Sequence, residues 1–337
     1  MKVLHNVSLK KYNTFGIEAK AKYFVEINSL KELKDAYKLE GHLKRVIIGG
    51  GSNMLITADI DALVLHINIK GKKVVSENDE SIILNVMAGE NWHKLVLWTL
   101  EKGYGGLQNL SLIPGNAGTA PIQNIGAYGV ELNDVFDSCK ALNVNTLEVE
   151  EFSKEACQFG YRNSFFKNDG KGKYIITSIN LKLTKKNHLL QTSYGAIEDE
   201  LTRNNIELPT IQEISKAVIA IRKSKLPDPD ELGNSGSFFK NPVLTNLDFN
   251  TFYKNNPEAP FYKVSENEIK VPAGWLIEQC GFKGKRYGGA GVHAKQALVL
   301  VNYGNATGQE ILDLSKKIIE DVYKKFNISI VPEVNII

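Results

Sequence analysis

Five small residues, Gly49-Gly50-Gly51-Ser52-Asn53, follow a short β-branched segment that ends at Ile48. Glycine lets the backbone approach a ligand closely, and successive N–H groups in such a run can form a nest for a phosphate. An apolar segment rather than a helix start comes next, at residues 54–56, which disfavours a Rossmann dinucleotide fingerprint. The run therefore indicates either an anion-binding loop or a plain tight turn.

The second candidate is the segment 103–129, which is rich in Gly, Pro, Asn and Gln and has no clear period. A loop this long inside a compact domain is either disordered or functional. Apolar residues such as Leu107, Leu110, Ile122 and Ile125 argue against disorder. We predict an ordered loop in which small residues at 113–129 pack against a flat ring and amides bond its edges; the alternative is a structural Ω-loop.

Arg162 is the third candidate. It lies among three aromatic residues, Phe159, Tyr161 and Phe165, and this setting predicts partial burial. A partly buried guanidinium needs an anion or another acceptor as its partner. A solvated surface charge is the alternative.

Ser237 lies between Gly236 and the aromatic pair Phe238-Phe239. This pattern predicts a hydroxyl on a tight backbone bend beside apolar walls. A serine hydrolase is disfavoured, since the Gly-x-Ser-x-Gly motif and a His-Asp partner pattern are absent. A turn serine that bonds its own backbone is the commoner alternative.

Glu333 lies near the end of the sequence among Ile330, Val331 and Val334. A carboxylate in apolar surroundings needs a paired partner or has a raised pKa. Glu333 is therefore a candidate active-site acid, against the alternative of a solvated glutamate.

These residues must be positioned by a mixture of helices and strands. Ser29 is the predicted N-cap of a helix beginning at Leu30. Further helices are predicted at 91–102, 211–223, 273–279 and 308–326, and strands at 21–27, 45–48, 62–67, 82–87, 138–144, 146–149, 174–184, 297–302 and 328–331. The Pro- and Gly-rich segment 225–236 predicts a domain boundary.

The composition is that of a globular protein with two or three domains, at 337 residues, 43% hydrophobic and 23% charged. A net charge of +3 does not favour a protein that coats nucleic acid. The cysteines, Cys139, Cys157 and Cys280, are widely spaced, which indicates neither a zinc site nor a redox pair. We predict no metal site, and a cytoplasmic location because neither a signal peptide nor a membrane span is evident.

Together these segments resemble the UDP-N-acetylenolpyruvoylglucosamine reductases of the longer type, from Asn13 to Val334. Besides residues 113–129, the most specific strings are Phe159-Gly160-Tyr161-Arg162, the segment 236–242 and Gly288-Gly289-Ala290-Gly291-Val292-His293. The resemblance implies an α+β FAD-binding fold of the vanillyl-alcohol-oxidase type, with two FAD-clasping subdomains and a C-terminal substrate-binding domain. It divides the chain into residues 1–68, 69–224 and 225–326, followed by a C-terminal strand at 327–337 that returns to the active site.

The resemblance also implies the reaction. NADPH, through noncovalently bound FAD, reduces the enolpyruvyl ether of a UDP-sugar, with hydride to C3 and a proton to C2. The family's catalytic roles fall on Arg162, Ser237 and Glu333. The guanidinium would stabilise the enediolate charge, Ser237 would donate the proton to C2, and Glu333 would assist as a protonated or orienting carboxyl.

The remaining implied contacts fall into two sets. Substrate ligands are expected at Tyr194, Lys225, Asn241 and Gln296, although Lys225 also fits a plain solvated lysine. FAD contacts are expected at Gly49, Gly50, Gly51, Ser52, Asn53, Pro114, Gly115, Asn116, Gly118, Thr119, Gln123, Asn124, Gly126, Ala127, Tyr128 and Gly129.

Two rival functions are a flavin oxidase of the same fold and a nucleotide-binding module without catalysis. Many such oxidases attach their flavin through His or Cys in the pyrophosphate region, and residues 49–53 contain no histidine. A protein that only binds a nucleotide would not need Arg162, Ser237 and Glu333 together. We expect a monomer that acts on a small molecule and binds neither nucleic acid nor membrane.

Overall fold

The computed structural model describes residues 1–39 and 44–337, and the chain divides into two compact units. The first unit consists of Met1–Val7, Lys22–Gly50 and Asp61–Ser224. The second consists of Ser8–Ala21, Gly51–Ile60 and Lys225–Ile337. The N-terminal part of the sequence therefore contributes to both units.

Seven α-helices lie in the described ranges: α1 (Leu30–Lys38), α2 (Trp92–Glu101), α3 (Gly195–Arg203), α4 (Ile211–Lys225), α5 (Asn246–Asn255), α6 (Ala273–Gln279) and α7 (Gly308–Phe326). Their ends follow capping chemistry. The Ser29 side chain accepts a hydrogen bond from the Glu32 N–H at the start of α1, as predicted. A capping box of Thr307 and Glu310 starts α7, and left-handed Asn327 ends it.

The strands of the described residues, in chain order, are β1 (Leu4–Ser8), β2 (Lys20–Ile27), β3 (Arg45–Ile48), β4 (Met54–Leu55), β5 (Ile60–Ile67), β6 (Lys72–Glu77), β7 (Ser81–Met87), β8 (Gly126–Ala127), β9 (Val130–Glu131), β10 (Phe136–Asn143), β11 (Val149–Ser153), β12 (Tyr174–Thr184), β13 (Gly233–Ser237), β14 (Val243–Thr245), β15 (Tyr262–Lys263), β16 (Glu268–Lys270), β17 (Arg286–Tyr287), β18 (Ala290–Val292), β19 (Val299–Asn302) and β20 (Asn335–Ile336).

Two sheets organise the first unit. One has the order β1-β2-β5-β3, in which β3 runs parallel to β5. The other is antiparallel with the order β11-β10-β12-β7-β6, and α2 packs its apolar side on the same core as β7 and β12. Leu84, Trp92, Val96 and Ile179 are among the buried residues of that core.

The second unit is built on the sheet β13-β19-β18-β17 and two smaller sheets, β14-β16-β15 and the parallel pair β20-β4. Helices α6 and α7 pack on its core, to which Phe238, Phe239, Leu276, Leu300 and Ile318 belong. The two aromatic residues next to Ser237 are therefore fully buried anchors.

The predicted strand at 328–331 is wrong. Ile328 and Ile330 are buried in the core of the second unit, but among the described residues the segment forms no strand pairing; its Val331 carbonyl accepts from the Lys240 N–H. The apolar run reflects core packing rather than strand pairing. The last strand is β20, a few residues later.

The predicted strand at 146–149 is also wrong. The Asn143 side-chain oxygen accepts hydrogen bonds from the N–H groups of Asn145 and Thr146, and this bends the chain into a turn. The strand begins only at Val149. In the described residues, no helix is long and apolar enough to cross a membrane, and no group of three His, Cys, Asp or Glu could hold a metal ion.

Gly308 tests the close packing of α7. A Cβ at this first helical residue would lie 1.8 Å from the Ile56 carbonyl oxygen. We expect Gly308→Ala to lower the free energy of unfolding by about 1–3 kcal/mol, as overpacking of a dense interior does. Gly195→Ala is the matched control, because it changes the first residue of α3, where nothing lies within 4 Å. Urea denaturation that shows equal effects of both changes would contradict this account.

Candidate active site

The glycine run packs directly against the second predicted loop. A Cβ on Gly49 would lie 2.7 Å from Thr119 Cγ2, and one on Gly50 would lie 2.8 Å from Gly115 Cα. The run follows the carboxyl end of β3, which is held in register by its parallel pairing with β5. The start of the glycine run and the loop 113–129, which were both predicted to contact FAD, thus lie together in the first unit.

The run also offers uncommitted donors. In residues 1–39 and 44–337, the N–H groups of Gly50, Gly51 and Ser52 donate no backbone hydrogen bond. Gly51 adopts a left-handed φ of 64°, and its carbonyl accepts from the Thr14 N–H. Successive free N–H groups of this kind suit an anion such as a diphosphate.

The loop is fixed by main-chain hydrogen bonds to the elements beneath it. The N–H groups of Ala117 and Gly118 donate to the carbonyls of Glu90 and Ala88, and the Gly115 carbonyl accepts from the Trp92 N–H. A Cβ on Gly118 would lie 2.4 Å from that of Ala88, so only glycine permits this approach. The prediction of an ordered loop is confirmed.

Within the loop, Asn116 is the N-cap of the 3-10 helix Ala117–Gln123, and its carbonyl accepts from both the N–H and the hydroxyl of Thr119. Pro114 is exposed, whereas Ser52 and Gln123 are half-buried. These residues lie on the same loop or glycine run as the others predicted to contact FAD, and their contacts with the cofactor stay predictions.

The loop closes with a two-residue hairpin. Gly126–Ala127 pairs with Val130–Glu131, and both turn residues are left-handed, with φ of 51° at Tyr128 and 79° at Gly129. These dihedrals fit a type I′ turn. A tyrosine at such a position is unusual, and its ring lies 5.3 Å from that of Tyr194. Burial raises the pKa of Tyr128, so its phenol is neutral near pH 7.

Asn124 has a structural role that the sequence did not reveal. It is buried and left-handed, with φ of 44°. Its amide donates to Glu131 Oε2 and to the Gly160 carbonyl, while its side-chain oxygen accepts from the Asn133 N–H. With its amide committed in this way, Asn124 holds the loop against the turn that carries Arg162.

Arg162 lies in that turn with a left-handed φ of 51°, a strained conformation for a residue with a Cβ. Its Nη2 donates to the Gly126 carbonyl at 2.8 Å, and its Nη1 to the Asn124 carbonyl at 3.4 Å. The predicted partial burial is confirmed. Both of these acceptors are neutral main-chain carbonyls of the loop, so they fix the orientation of the guanidinium.

A β-bulge changes the direction in which the Ser237 side chain points. The register of β13 against β19 shifts between Asn234 and Ser237, with left-handed Gly236 (φ 68°) in the shift. The Ser237 side chain is exposed and has no hydrogen bond to any other described residue. It does not, therefore, bond its own backbone as a turn serine would.

Glu333 is brought next to Ser237 within the second unit. Phe239 and Pro332 form an isolated antiparallel β-bridge, and the Glu333 N–H donates to the Phe238 carbonyl at 2.8 Å. The Glu333 carbonyl accepts from the side chain of Asn53, which belongs to the glycine run. Main-chain bonds thus place the predicted proton donor and the predicted carboxyl on neighbouring extended segments.

Two of the four predicted substrate residues meet at the start of α6. The Asn241 side-chain oxygen accepts from the Ala273 N–H at 2.9 Å, and Gln296 Oε1 lies 3.1 Å from where Gly274 would carry a Cβ. Lys225, at the last residue of α4, is exposed. Tyr194 is also exposed and lies in the first unit, against Tyr128.

The sequence analysis missed Arg222, a half-buried arginine on α4. Its Nε is shielded from solvent and has no hydrogen-bond partner in the described part of the chain. The available signal was its spacing, because Arg222 follows Ser215 by seven residues on the inward side of a helix otherwise marked by Ile214, Val218 and Ile221.

The residues of the first unit fit FAD. The free N–H group of Gly50 suits its diphosphate, and the small residues of the loop at 113–129 suit the close approach of a flat ring. Arg222 adds a shielded donor that no described residue satisfies.

Comparisons with known proteins agree with this geometry. Residues 21–148 match the FAD binding domain, and residues 228–337 match the UDP-N-acetylenolpyruvoylglucosamine reductase, C-terminal domain. The crystal structure of UDP-N-acetylenolpyruvylglucosamine reductase from Thermus caldophilus shares the fold, with a TM-score of 0.69 at 23% identity over 100% of this chain and 99% of that one. The predicted α+β FAD-binding fold is confirmed.

Curated relatives match over the full length. The UDP-N-acetylenolpyruvoylglucosamine reductase of Flavobacterium johnsoniae is 60% identical over 337 residues, which is 100% of both chains. Proteins of the same name from Amoebophilus asiaticus and Pseudomonas aeruginosa are 47% and 44% identical, over 100% of this chain and at least 99% of theirs. The chain belongs to the UDP-N-acetylenolpyruvoylglucosamine reductase family.

Proposed function

We propose that this protein is an FAD-containing oxidoreductase that reduces UDP-N-acetylenolpyruvoylglucosamine to UDP-N-acetylmuramate with NADPH, in peptidoglycan precursor synthesis. The observation that carries the proposal is the full-length match, at up to 60% identity, to relatives named for this activity. When bound, FAD supplies the chemistry that carries hydride from NADPH to the substrate. No specific observation favours a flavin oxidase or a binding module.

Gly49 to Asn53 would hold the FAD diphosphate through backbone N–H groups, and the loop 114–129 would hold the ring and the ribityl chain. The support is the close packing of Gly49 and Gly50 on the loop and the free N–H group of Gly50. Because these contacts are noncovalent, acid should release the flavin intact.

Arg162 would stabilise the negative charge that develops on the substrate carboxylate when C3 is reduced. A guanidinium keeps its charge at any working pH, and two of its N–H donors are already oriented by loop carbonyls. Preorganised charge of this kind lowers the barrier without reorganisation at the moment of reaction.

Ser237 would donate the proton to C2. Its hydroxyl is exposed and is not engaged with another described residue, so it can turn toward a bound substrate. Serine is a weak acid, but the enediolate carbon is strongly basic, and proximity offsets the weak acidity. Glu333 would assist as a protonated carboxyl or by orienting the guanidinium.

Four residues would bind the diphosphate, sugar and uridine part of the substrate: Tyr194, Lys225, Asn241 and Gln296. We also propose a monomer that acts in the cytoplasm on this diffusible substrate, binding neither nucleic acid nor membrane. The near balance of charge, +3 in 337 residues, supports a small-molecule partner.

We also propose that the FAD-binding subdomains end at residues 68 and 224 and that the substrate-binding domain ends at residue 326.

The activity has a direct optical test. Purified protein should be yellow, should bleach with NADPH, and should regain its colour when UDP-N-acetylenolpyruvoylglucosamine is added without oxygen. Recovery of colour with oxygen alone, and none with the enolpyruvyl substrate, would contradict the reductase and favour an oxidase.

Gly50 tests the flavin site. We expect Gly50→Val to weaken FAD binding at least about tenfold, because its side chain would displace Gly115 and Asn116 of the loop. The measurement is an equilibrium titration of flavin-free protein. Gly195→Val adds the same side chain where nothing lies within 4 Å and should bind FAD normally. Full affinity in a folded Gly50→Val protein would remove this residue from the site.

Ser237 tests the proton donor. Bleaching by NADPH does not involve C2 of the substrate, whereas reoxidation by the enolpyruvyl substrate does. We expect Ser237→Ala to leave bleaching nearly unchanged and to slow reoxidation by at least about 10²–10⁴-fold in stopped-flow measurements. Ser237→Cys, which keeps a proton, should recover part of the rate.

The matched control for this test is Ser235→Ala. Ser235 is buried, and its hydroxyl donates to the Met54 carbonyl, so its loss should reduce stability without separating the two half-reactions. If Ser237→Ala slows both half-reactions equally at full FAD occupancy, Ser237 is not the proton donor.

A further inference from the structure

The first turn of α2 holds the segment that leads into the loop. The Trp92 indole N–H donates to the Leu110 carbonyl at 3.0 Å, and the Trp92 main-chain N–H donates to the Gly115 carbonyl, also at 3.0 Å. Between these two contacts, His93 Nδ1 accepts from the Leu112 N–H at 3.0 Å. Hydrogen bonds to two adjacent residues of one helix therefore determine how the chain enters the loop.

The position of the His93 ring is set by its helix. Trp92 is fully buried in the core of the first unit, and the Asn91 side chain caps α2 by accepting from the Lys94 N–H. A buried ring and a cap together fix the rotation of the first helical turn. The half-buried imidazole of His93 is thus held beside Leu112 by packing.

Leu112 is the point at which the chain needs this support. Its φ of 58° is left-handed, which is uncommon and strained for a residue with a Cβ. Such a conformation persists only where the surroundings determine it. On its N-terminal side, Ser111 shares a buried hydrogen bond of 2.7 Å with Ser215 of α4. The Leu112 N–H itself relies on His93 as its acceptor.

The conformation of Leu112 affects the flavin site through the next few residues. Gly115, three residues later, is the part of the loop that packs on the glycine run, since a Cβ on Gly50 would lie 2.8 Å from its Cα. A change of φ at Leu112 would swing this short segment and disturb that contact. The imidazole of His93 therefore supports the site from outside it.

The contact requires a neutral imidazole. A main-chain N–H can only donate, so Nδ1 of His93 must keep its lone pair and the ring proton must lie on Nε2. Protonation would give Nδ1 a hydrogen of its own and place two donors opposite each other. The Leu112 N–H would then lose its acceptor in the same way as if the ring were removed.

The charges around His93 oppose its protonation. Burial, followed by the positive charges of Arg222 and Lys223 on α4, lowers the pKa of His93 from its ordinary value. Lys94, the adjacent charge on α2, is also positive, and residues 110–115 carry no titratable side chain. The positive end of the helix dipole at the start of α2 acts in the same direction. His93 is therefore neutral near pH 7.

We propose that His93 is a positioning residue for FAD, whose neutral imidazole holds Leu112 in its left-handed conformation and so places the loop for the cofactor. This role rests on the proposed function and adds a residue to it. A loop that is already in its bound conformation loses less freedom when the ligand binds. Removal or protonation of the imidazole would transfer that ordering to the binding step and weaken the affinity for FAD.

The test compares two replacements of His93. His93→Leu removes the acceptor and keeps an apolar side chain. His93→Asn keeps an acceptor that does not titrate, because Asn Oδ1 is bonded to Cγ as His Nδ1 is. In equilibrium titrations of flavin-free protein at about pH 8, where His93 is neutral, His93→Leu should bind FAD at least about tenfold more weakly, the effect of one partly buried N–H without an acceptor. His93→Asn should retain most of the affinity.

His5 provides the matched control. It is exposed and lies on β1, an edge strand of the same unit. His5→Leu makes the same chemical change away from the loop and should bind FAD as the wild type does.

A pH profile separates this role from plain packing. As the pH falls from about 8 to about 5, protonation of His93 should weaken FAD binding in the wild type, by up to about tenfold per pH unit for one proton. His93→Asn should lack this component, whereas His5→Asn should keep it. A residue that only fills space would leave the profile of the Asn variant unchanged.

Three outcomes would overturn the role of His93 alone, given a wild type that binds FAD. They are full affinity in a folded His93→Leu protein, equally weak binding by the Leu and Asn variants, and parallel pH profiles of His93→Asn and the wild type. Failure of both variants to fold, seen in thermal melting of the flavin-free proteins, would make His93 a structural residue and overturn the role as well. A wild-type protein that binds no FAD would overturn the proposed function itself.

Discussion

Contact between two bare stretches of backbone is the constraint on which the site of the first unit depends. Gly49 and Gly50 approach the loop so closely that a Cβ on either would overlap with Thr119 or Gly115. The approach requires β3 to end at the right place, which its parallel pairing with β5 determines. It also requires the loop to be pinned from below. The position of the free Gly50 N–H group is therefore a consequence of sheet geometry and not of the glycines alone.

The second constraint on this unit is electrostatic. Arg162 and Arg222 are close enough for each charge to oppose the other. Folding alone would favour an apolar residue in place of Arg222, whose Nε has no partner among the described residues. A site that binds an anionic ligand can keep both charges, at the expense of stability in the empty protein. Such an exchange of stability for function is common where a site must be preorganised.

Much of the architecture could be predicted because local chemistry and tertiary packing agree there. Helix α7 has the predicted bounds, since Thr307, Glu310 and Asn327 supply both of its caps. The strand at 328–331 failed because a buried apolar run looks the same whether it pairs or merely packs. The left-handed conformation of Arg162 could not be predicted, as it depends on a turn whose partners, Asn124 and Gly126, are distant in sequence.

Arg222 and Asn124 show where sequence reasoning reaches its limit in the site itself. Both are polar residues whose importance lies in burial and partners, and neither property is visible from residue type. Asn124 has its amide hydrogen bonds satisfied within the protein, so it stabilises the loop. Arg222 has an unsatisfied donor, so it needs something the protein does not supply.

In the second unit, main-chain hydrogen bonds rather than side-chain networks position the candidate catalytic groups. Phe238 and Phe239 are locked in the core, so the bulge at Gly236 has only one way to direct Ser237, which is outward. The backbone of Glu333 is held by the Phe238 carbonyl and by Asn53. Because the backbone does the positioning, the Ser237 hydroxyl need not be tied to a neighbour to be oriented. A proton donor must change its hydrogen bonds during the reaction, and a hydroxyl placed in this way can do so without loosening the fold.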